Sequence, residues 1–358
     1  MNGSETSGGA APAGPAPPWE PSKTEVRQLA QRLASLRPLV PYPGWQFDAD
    51  WNSPDFPVRM RRRLFEYCLA RQWELPVEVP WYDGLRLCLY LSNDTSRQVF
   101  IAGCVDPNEF VFLDQVLRPG MVFIDAGANE GLYSLFAARR VAAAGSPRAR
   151  LWRRLLFPVK GDGKVLAFEP SRREYARLRH NIGLNRLSNV RPFRVALGER
   201  EGNAELLIAN AEHAGQNSLG GFVHQGVEVL RRETVRLRRL DDVIREEGLA
   251  RVDLIKLDVE GAEVRVLRGS SMVLRELRPL LLFEVLEESL RRQGSSGEEL
   301  FDLLRRFQYA ICVFDAQTGL PRLAAPGERS PNMIAVPEEK PLPETLLRAE
   351  SSSRFEAP

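Results

Sequence analysis

The stretch from Val122 to Leu135, VFIDAGANEGLYSL, constrains the fold more than any other part of the chain. An apolar run ends on Asp125, passes through a turn spaced by Gly127 and Gly131, and resumes as a second apolar run. That is the pattern of a buried strand leading into a helix. Such a turn lies at the carboxyl edge of a parallel sheet, where doubly wound folds hold their ligands. Further apolar runs at Val165 to Glu169, Phe193 to Ala196, Val252 to Asp258, Leu280 to Glu284 and Ala310 to Phe314 read as strands. Helical patterns separate several of them, notably SRREYARLRHNIGLN, AEVRVLRGSSMVLRELRP and SGEELFDLLRRF, and NMIAVP supplies a last strand. Strand and helix alternating in this way predict an α/β sheet of mostly parallel strands covered on both faces.

The rest of the chain divides around that sheet. Residues 1–21 are rich in Gly, Ala, Pro and Ser and predict a disordered arm. Residues 22–107 predict accessory N-terminal helices, one capped by Ser22 or Thr24, and a β-hairpin turning at SNDTS within GLRLCLYLSNDTSRQVFIAG. Residues 108–337 carry the sheet, and 338–358 predict a loose tail. A hydrophobic share of 44% against 27% charged residues is that of a globular chain with a core. A net charge of +2 gives no argument for nucleic acid, which is not expected as a partner. With no transmembrane segment and no charged-then-apolar leader, the expected location is cytoplasmic. Cys68, Cys88, Cys104 and Cys312 form no CxxC pair and sit in apolar surroundings, the setting of buried free thiols.

The ligand of the opening turn follows from its spacing. A dinucleotide fingerprint needs G-x-G-x-x-G, so that a pyrophosphate rests on the helix N-terminus. Here the glycines read G-A-N-E-G: Asn129 stands where the second glycine belongs, and Glu130 adds negative charge where a phosphate would lie. A ligand with an ammonium, a sulfonium and ribose hydroxyls but no phosphate suits carboxylates better, and S-adenosylmethionine is such a ligand. Glu169, ending the neighbouring strand, can accept hydrogen bonds from both ribose hydroxyls.

These segments resemble the FkbM-type S-adenosylmethionine-dependent methyltransferases. The resemblance is carried by FIDAGANEGLYSLFAA, GKVLAFEPSRREYARLRHNIGLN, VRPFRVALGEREGNAELLI, QNSLGG, VRLRRLDDVI, DLIKLDVEGAEVRVLRG, PLLLFEV and NMIAVP, in family order over roughly Asn108 to Pro337. It implies a Rossmann-like seven-stranded methyltransferase sheet with the last strand antiparallel. It further implies that Asp125, Gly127, Asn129 and Gly131 cradle the methionine part, Glu169 the ribose, and Val195 with Ala196 the adenine. Asp258 and Glu260 in KLDVEG would stand beside the transferable methyl.

Methyl transfer from a sulfonium to a hydroxyl requires positioning and a group that takes the proton. Asp258 is the first candidate base, with Glu260, Lys256 and Glu284 as helpers, and the same carboxylate edge has the oxygen donors a divalent metal takes. The implied activity is O-methyl transfer to a small-molecule or glycosyl-type acceptor. Two other readings stay open on the residues alone: a nicotinamide-dependent oxidoreductase, and a non-catalytic methyltransferase-fold interaction module. The long connection at 141–163 contains RARLWRRLLFPVK, and its residues 149–160 have the composition of a peripheral membrane contact, a lid or a docked surface helix. Of the histidines, His180 reads as a surface residue, while His213 and His224 flank QNSLGG.

Overall fold

The computed structural model describes residues 20–35, 56–142, 163–222, 227–340 and 342. The arm at 1–19, most of the 141–163 connection including 149–160, His224 and nearly all of the tail lie outside the described residues.

Strand β3 (Val122–Ala126) is buried at every position, as is β9 (Leu254–Leu257), and the two pair in parallel at the centre of the main sheet. A strand buried on both faces must be apolar throughout, which is why these runs show no alternation. Outward from β3 lie β4 (Lys164–Phe168) and β5 (Val190–Phe193), both parallel. Outward from β9 lie β10 (Leu280–Glu284), β13 (Asn332–Pro337), β11 (Tyr309–Phe314) and the short β12 (Pro321–Leu323). β13 runs antiparallel between β10 and β11, so the predicted arrangement of parallel strands with an antiparallel last strand is present. β12 adds an eighth strand to the predicted seven. The run predicted as one strand from Phe193 to Ala196 is split. β5 ends at Phe193, and β6 (Ala196–Leu197) joins a second sheet with β8 (Val229–Arg238) and β7 (Gly202–Ala209).

Ahead of the sheet, α1 (Lys23–Ser35) opens with a reciprocal cap: the Ser22 amide donates to Glu25 Oε2 at 2.8 Å and the Glu25 amide to Ser22 Oγ at 3.3 Å. In α2 (Phe56–Ala70) the basic residues do not all face solvent: Arg61 is fully buried and donates to the Leu33 carbonyl at 2.6 and 3.0 Å. The predicted hairpin at SNDTS does not form. The hairpin pairs β1 (Leu75–Pro80) with β2 (Arg86–Leu91) instead, and SNDTS starts a helix, α3 (Asp94–Ala102). The reason is local, since the Asn93 side chain accepts from the Ser96 amide at 2.7 Å and caps that helix. Helix α4 (Pro107–Val116) then leads into β3.

Helix α5 (Leu132–Val141) follows the glycine turn, and α6 (Arg172–Leu184) follows β4. The pattern AEVRVLRGSSMVLRELRP predicts one helix, but α8 stops early, at Glu263–Arg268. A Cβ on Gly269 would lie 2.0 Å from the Gly198 carbonyl oxygen, so the chain there is pressed against β6's flank and a separate turn at Val273–Leu277 resumes. The other helices on that side are α7 (Leu240–Glu246), α9 (Glu287–Arg292) and α10 (Gly297–Arg306).

One buried polar network ties the N-terminal part to the glycine turn. Glu130 Oε1 accepts from Asn93 Nδ2 and from an Arg177 amino group, both at 2.8 Å. The Arg177 guanidinium also pairs with Glu74 and stacks 3.7 Å over the Tyr90 ring. Removing one partner of a buried pair strands the other charge, at a cost of about 3 to 5 kcal/mol. Arg177→Met is therefore expected to lower the free energy of unfolding by about that amount in urea titrations. A loss below about 1 kcal/mol would mean that Glu130 finds solvent or another partner.

Candidate active site at the carboxyl edge of the sheet

The strand ends converge on a cavity of ≈ 480 Å³, within the roughly 300–1,000 Å³ usual for small-molecule sites. Gly127, Asn129, Glu169, Val195, Ala196, Lys256, Asp258, Glu260 and Glu284 all line it. Asp125 and Gly131 do not. Asp125 is fully buried beneath the turn, its Oδ2 accepting from Ser134 Oγ at 2.5 Å while Oδ1 has no partner. Gly131, at φ 97°, backs onto Leu178, whose Cδ1 would lie 2.6 Å from an added Cβ. Its glycine serves helix packing, not close approach to a ligand.

Gly127 serves a different contact. At φ 82° an added Cβ would lie 1.7 Å from the Asp258 carbonyl oxygen, so only glycine lets the ends of β3 and β9 close on each other. The Asp258 amide completes that contact by donating to the Ala126 carbonyl at 3.0 Å. On the other side, the amides of Gly127 and Ala128 both donate to the Phe168 carbonyl, at 3.0 and 2.9 Å. Asn129, at φ 48°, sends its amide to Glu169 Oε2 at 2.9 Å, and Glu169 Oε1 accepts from the Ser171 amide at 2.8 Å. Three amides of the turn, those of Gly127, Ala128 and Asn129, are thus already engaged. Glu130 does not add charge to the cavity as its position in the turn suggests, because its carboxylate is turned into the Arg177 network.

Besides Glu130, seven carboxylic residues line the cavity: Asp94, Asp106, Glu169, Glu174, Asp258, Glu260 and Glu284. The basic residues of the lining are Arg97, His213 and Lys256. Lys256 is buried, donates to Asp258 Oδ2 at 2.7 Å and lies 4.5 Å from the Tyr133 ring centroid. Burial favours loss of its proton, but Asp258, then Asp125, then Asp106 outweigh that and hold its pKa above the usual lysine range. Asp258, Glu260 and Glu284 each offer an oxygen within 4.8 Å of the others. Burial first, and then the neighbouring carboxylates, push the carboxyls of Glu260 and Glu284 well above their ordinary values. Such a cluster serves a shared proton or a cation with oxygen ligands. The loop carrying it is held by Glu263, which accepts from the amides of Val259 and Gly261 at 3.2 Å.

Several cavity residues were not read from the sequence. Asp94 and Thr95 come from the start of α3: Asp94 Oδ1 accepts from the Gly215 amide at 3.0 Å, and Thr95 Oγ1 from Asn129 Nδ2 at 3.3 Å. Asp106 accepts from the Tyr133 hydroxyl at 2.8 Å. The Asp-Pro pair at 106–107 signals a helix start, but not which cavity the aspartate would line. Phe168 lines the cavity beside Val195 and is backed by Phe193, whose ring stacks on it at 4.9 Å. His213 lines the cavity and His180 is exposed. The four cysteines are buried and free.

A family model for the methyltransferase FkbM domain matches residues 125–311. Over 253 residues, covering 57% of this chain, the sequence is 32% identical to the AMB antimetabolite synthetase AmbE of Pseudomonas aeruginosa. It is 30% identical over 201 residues, 53% of this chain, to the 2-O-methyltransferase NoeI of Sinorhizobium fredii. The chain spans 10% of the length of AmbE and 74% of that of NoeI. A solved structure of an FkbM methyltransferase from Methylobacillus flagellatus KT aligns with 80% of this chain and 60% of its own, at 17% identity and a TM-score of 0.33. No helix among the described residues is long and apolar enough to cross a membrane.

The buried carboxyls give the ligand-free protein a pH signature. Burial raises Glu169 and Glu109 to about 8 and Glu263 to about 7, against an ordinary value of 4.5. Between pH 4.5 and 8 the folded chain then holds protons that the unfolded chain has released. Stability is greatest below the lower value and falls as pH rises through the upper one. The urea midpoint of the ligand-free protein is expected to fall between pH 5 and pH 8, less steeply in Glu169→Gln. Identical slopes in both proteins would remove Glu169 from the titrating set.

Proposed function

Because this chain belongs to the FkbM methyltransferase family, we propose that its cavity binds S-adenosylmethionine and that the protein methylates a hydroxyl of a small or glycosyl-type acceptor. The observation that carries this reading is the state of the glycine turn. The amides of Gly127, Ala128 and Asn129 are engaged with Phe168 and Glu169, while carboxylic residues line the space in front of the turn. A pyrophosphate would find few donors there, whereas a ligand with two positive centres and a diol finds acceptors. The nicotinamide reading is set aside on that chemistry.

Glu169 uses one lone pair of each oxygen on backbone amides, leaving capacity on both for ribose hydroxyls. Phe168, Val195 and Ala196 offer an apolar slot for adenine. Asn129 Oδ1 is buried without a partner beside the turn and suits an ammonium donor. Asp125 supports the turn from below, with Ser134, and does not itself touch the ligand. When bound, S-adenosylmethionine supplies an electrophilic methyl carbon on a sulfonium. Lys256 fixes Asp258 through Oδ2, and Asp258 Oδ1 takes the proton of the acceptor hydroxyl. Glu260 and Glu284 stand beside Asp258, each with an oxygen within 4.8 Å of the others.

Calorimetry with S-adenosylmethionine, S-adenosylhomocysteine and NAD tests the cofactor assignment. The first two are expected to bind and NAD is not. Glu169→Ala should weaken binding of both by about 1 to 3 kcal/mol, the cost of leaving buried hydrogen-bonding groups without their partner. Asp258→Asn should leave those affinities nearly unchanged while methyl transfer to a hydroxyl acceptor falls on the order of 10² to 10⁴. Tight NAD binding without the sulfonium ligand would end the reading, and equal losses in binding and transfer would move Asp258 into the cofactor site.

A further inference from the structure

One wall of the cavity comes from a short segment ahead of the residues that the family model matches. Asp94, Thr95, Arg97, Gln98, Val105 and Asp106 all line it, whereas the matched residues begin at Asp125. Asp94 and Thr95 are engaged with Gly215 and with Asn129 of the turn, so that end of the wall is tied to the cofactor side. Asp106 is different. It stands at the start of α4 with φ 47° and ψ 58°, a left-handed conformation uncommon outside glycine. It is also in the N-cap position, where an aspartate ordinarily accepts from the first helical amides, yet it makes no capping bond.

What the side chain does instead is meet Tyr133, whose hydroxyl donates to Oδ2 at 2.8 Å, while the ring of Tyr133 supports Lys256. Lys256 in turn donates to Asp258. The charge of Asp106 acts on Lys256 together with those of Asp258 and Asp125, Asp106 being fixed by Tyr133 and Asp258 by Lys256 itself. The second oxygen of Asp106, Oδ1, makes no hydrogen bond among the described residues, and the residue lines the cavity.

We propose that Asp106 belongs to the acceptor-binding site, where its carboxylate takes a hydrogen bond from a hydroxyl of a glycosyl acceptor and so presents a neighbouring hydroxyl to Asp258. This rests on the methyl-transfer reading. Asp106 and Asp258 line the same cavity, and each can accept a hydrogen bond from a different hydroxyl of one sugar ring. Tyr133 is the positioning residue: its hydroxyl orients Asp106 and its ring keeps Lys256 in place.

The test uses the full chain loaded with S-adenosylhomocysteine and the methyl glycosides of glucose, galactose, mannose and rhamnose as probes, with binding read by saturation-transfer NMR. At least one glycoside is expected to bind. Asp106→Asn should weaken that binding tenfold or more while S-adenosylhomocysteine affinity stays within twofold and the urea midpoint is unchanged. Asp106→Glu should restore most of it, and Tyr133→Phe should fall between, because it frees the carboxylate without removing it. Unchanged glycoside binding in Asp106→Asn overturns the proposal, as does failure of every glycoside to bind the loaded wild type. Equal loss of glycoside and S-adenosylhomocysteine binding also overturns it, by placing Asp106 on the cofactor. Should wild type not bind S-adenosylhomocysteine at all, the methyl-transfer reading itself fails, which is a separate result.

Discussion

The contact between Gly127 and the carbonyl of Asp258 is the constraint on which the site depends. It joins the ends of the two central strands so closely that no side chain fits between them. With β3 and β9 locked there, and with Gly127 and Ala128 donating to the carbonyl of Phe168, three adjacent strand ends are fixed by backbone contacts. The amides of Gly127, Ala128 and Asn129 are consumed in this bracing. What remains to meet a ligand is the side chains beyond the strand ends, and the ionisable ones among them are mostly carboxylic. Lys256 is the counterweight: its buried ammonium stands among Asp258, Asp125 and Asp106 and is kept charged by them. A cavity built this way attracts cationic centres and hydroxyl donors by the same physics that assembles it.

The strand-and-helix alternation made the main sheet legible, because parallel strands buried on both faces must be continuous apolar runs. The strand-end residues Glu169 and Asp258 were legible for the same reason, since an acidic residue closing such a run must lie at the sheet's edge. The roles of Asp125 and Gly131 were not. Whether a residue at a turn faces up into a cavity or down into a core depends on what α5 and α6 pack against it, and Ser134 and Leu178 decide that. The SNDTS segment was misread because a polar run between apolar ones fits a hairpin turn and a capped helix equally well. Asn93, bound to the Ser96 amide and to Glu130, resolves the ambiguity only through a residue far along the chain.

That long-range tie changes how the N-terminal part should be regarded. The core that buries α1, α2, β1 and β2 continues into Leu135, Phe136 and Leu178 beside the glycine turn. Glu130, Arg177 and Asn93 then form a charged bridge through the same interface. Asp94, Thr95 and Asp106 reach the cavity because that interface holds α3 and α4 in place. The sheet edge supplies Glu169, Asp258 and Glu284, and the preceding segment supplies a wall of its own. Differences in acceptor between chains of this fold would be expressed most directly in such a wall.

Hydrogen exchange with and without S-adenosylhomocysteine measures the central claim most directly, that the braced turn and the acidic strand ends form the ligand site. The account predicts slower exchange confined to 125–134, 168–171, 193–197 and 211–219, and no change with NAD. Protection instead around Lys164, Asn189 and Arg191, which line a separate cavity at the opposite edge of the sheet, would contradict it.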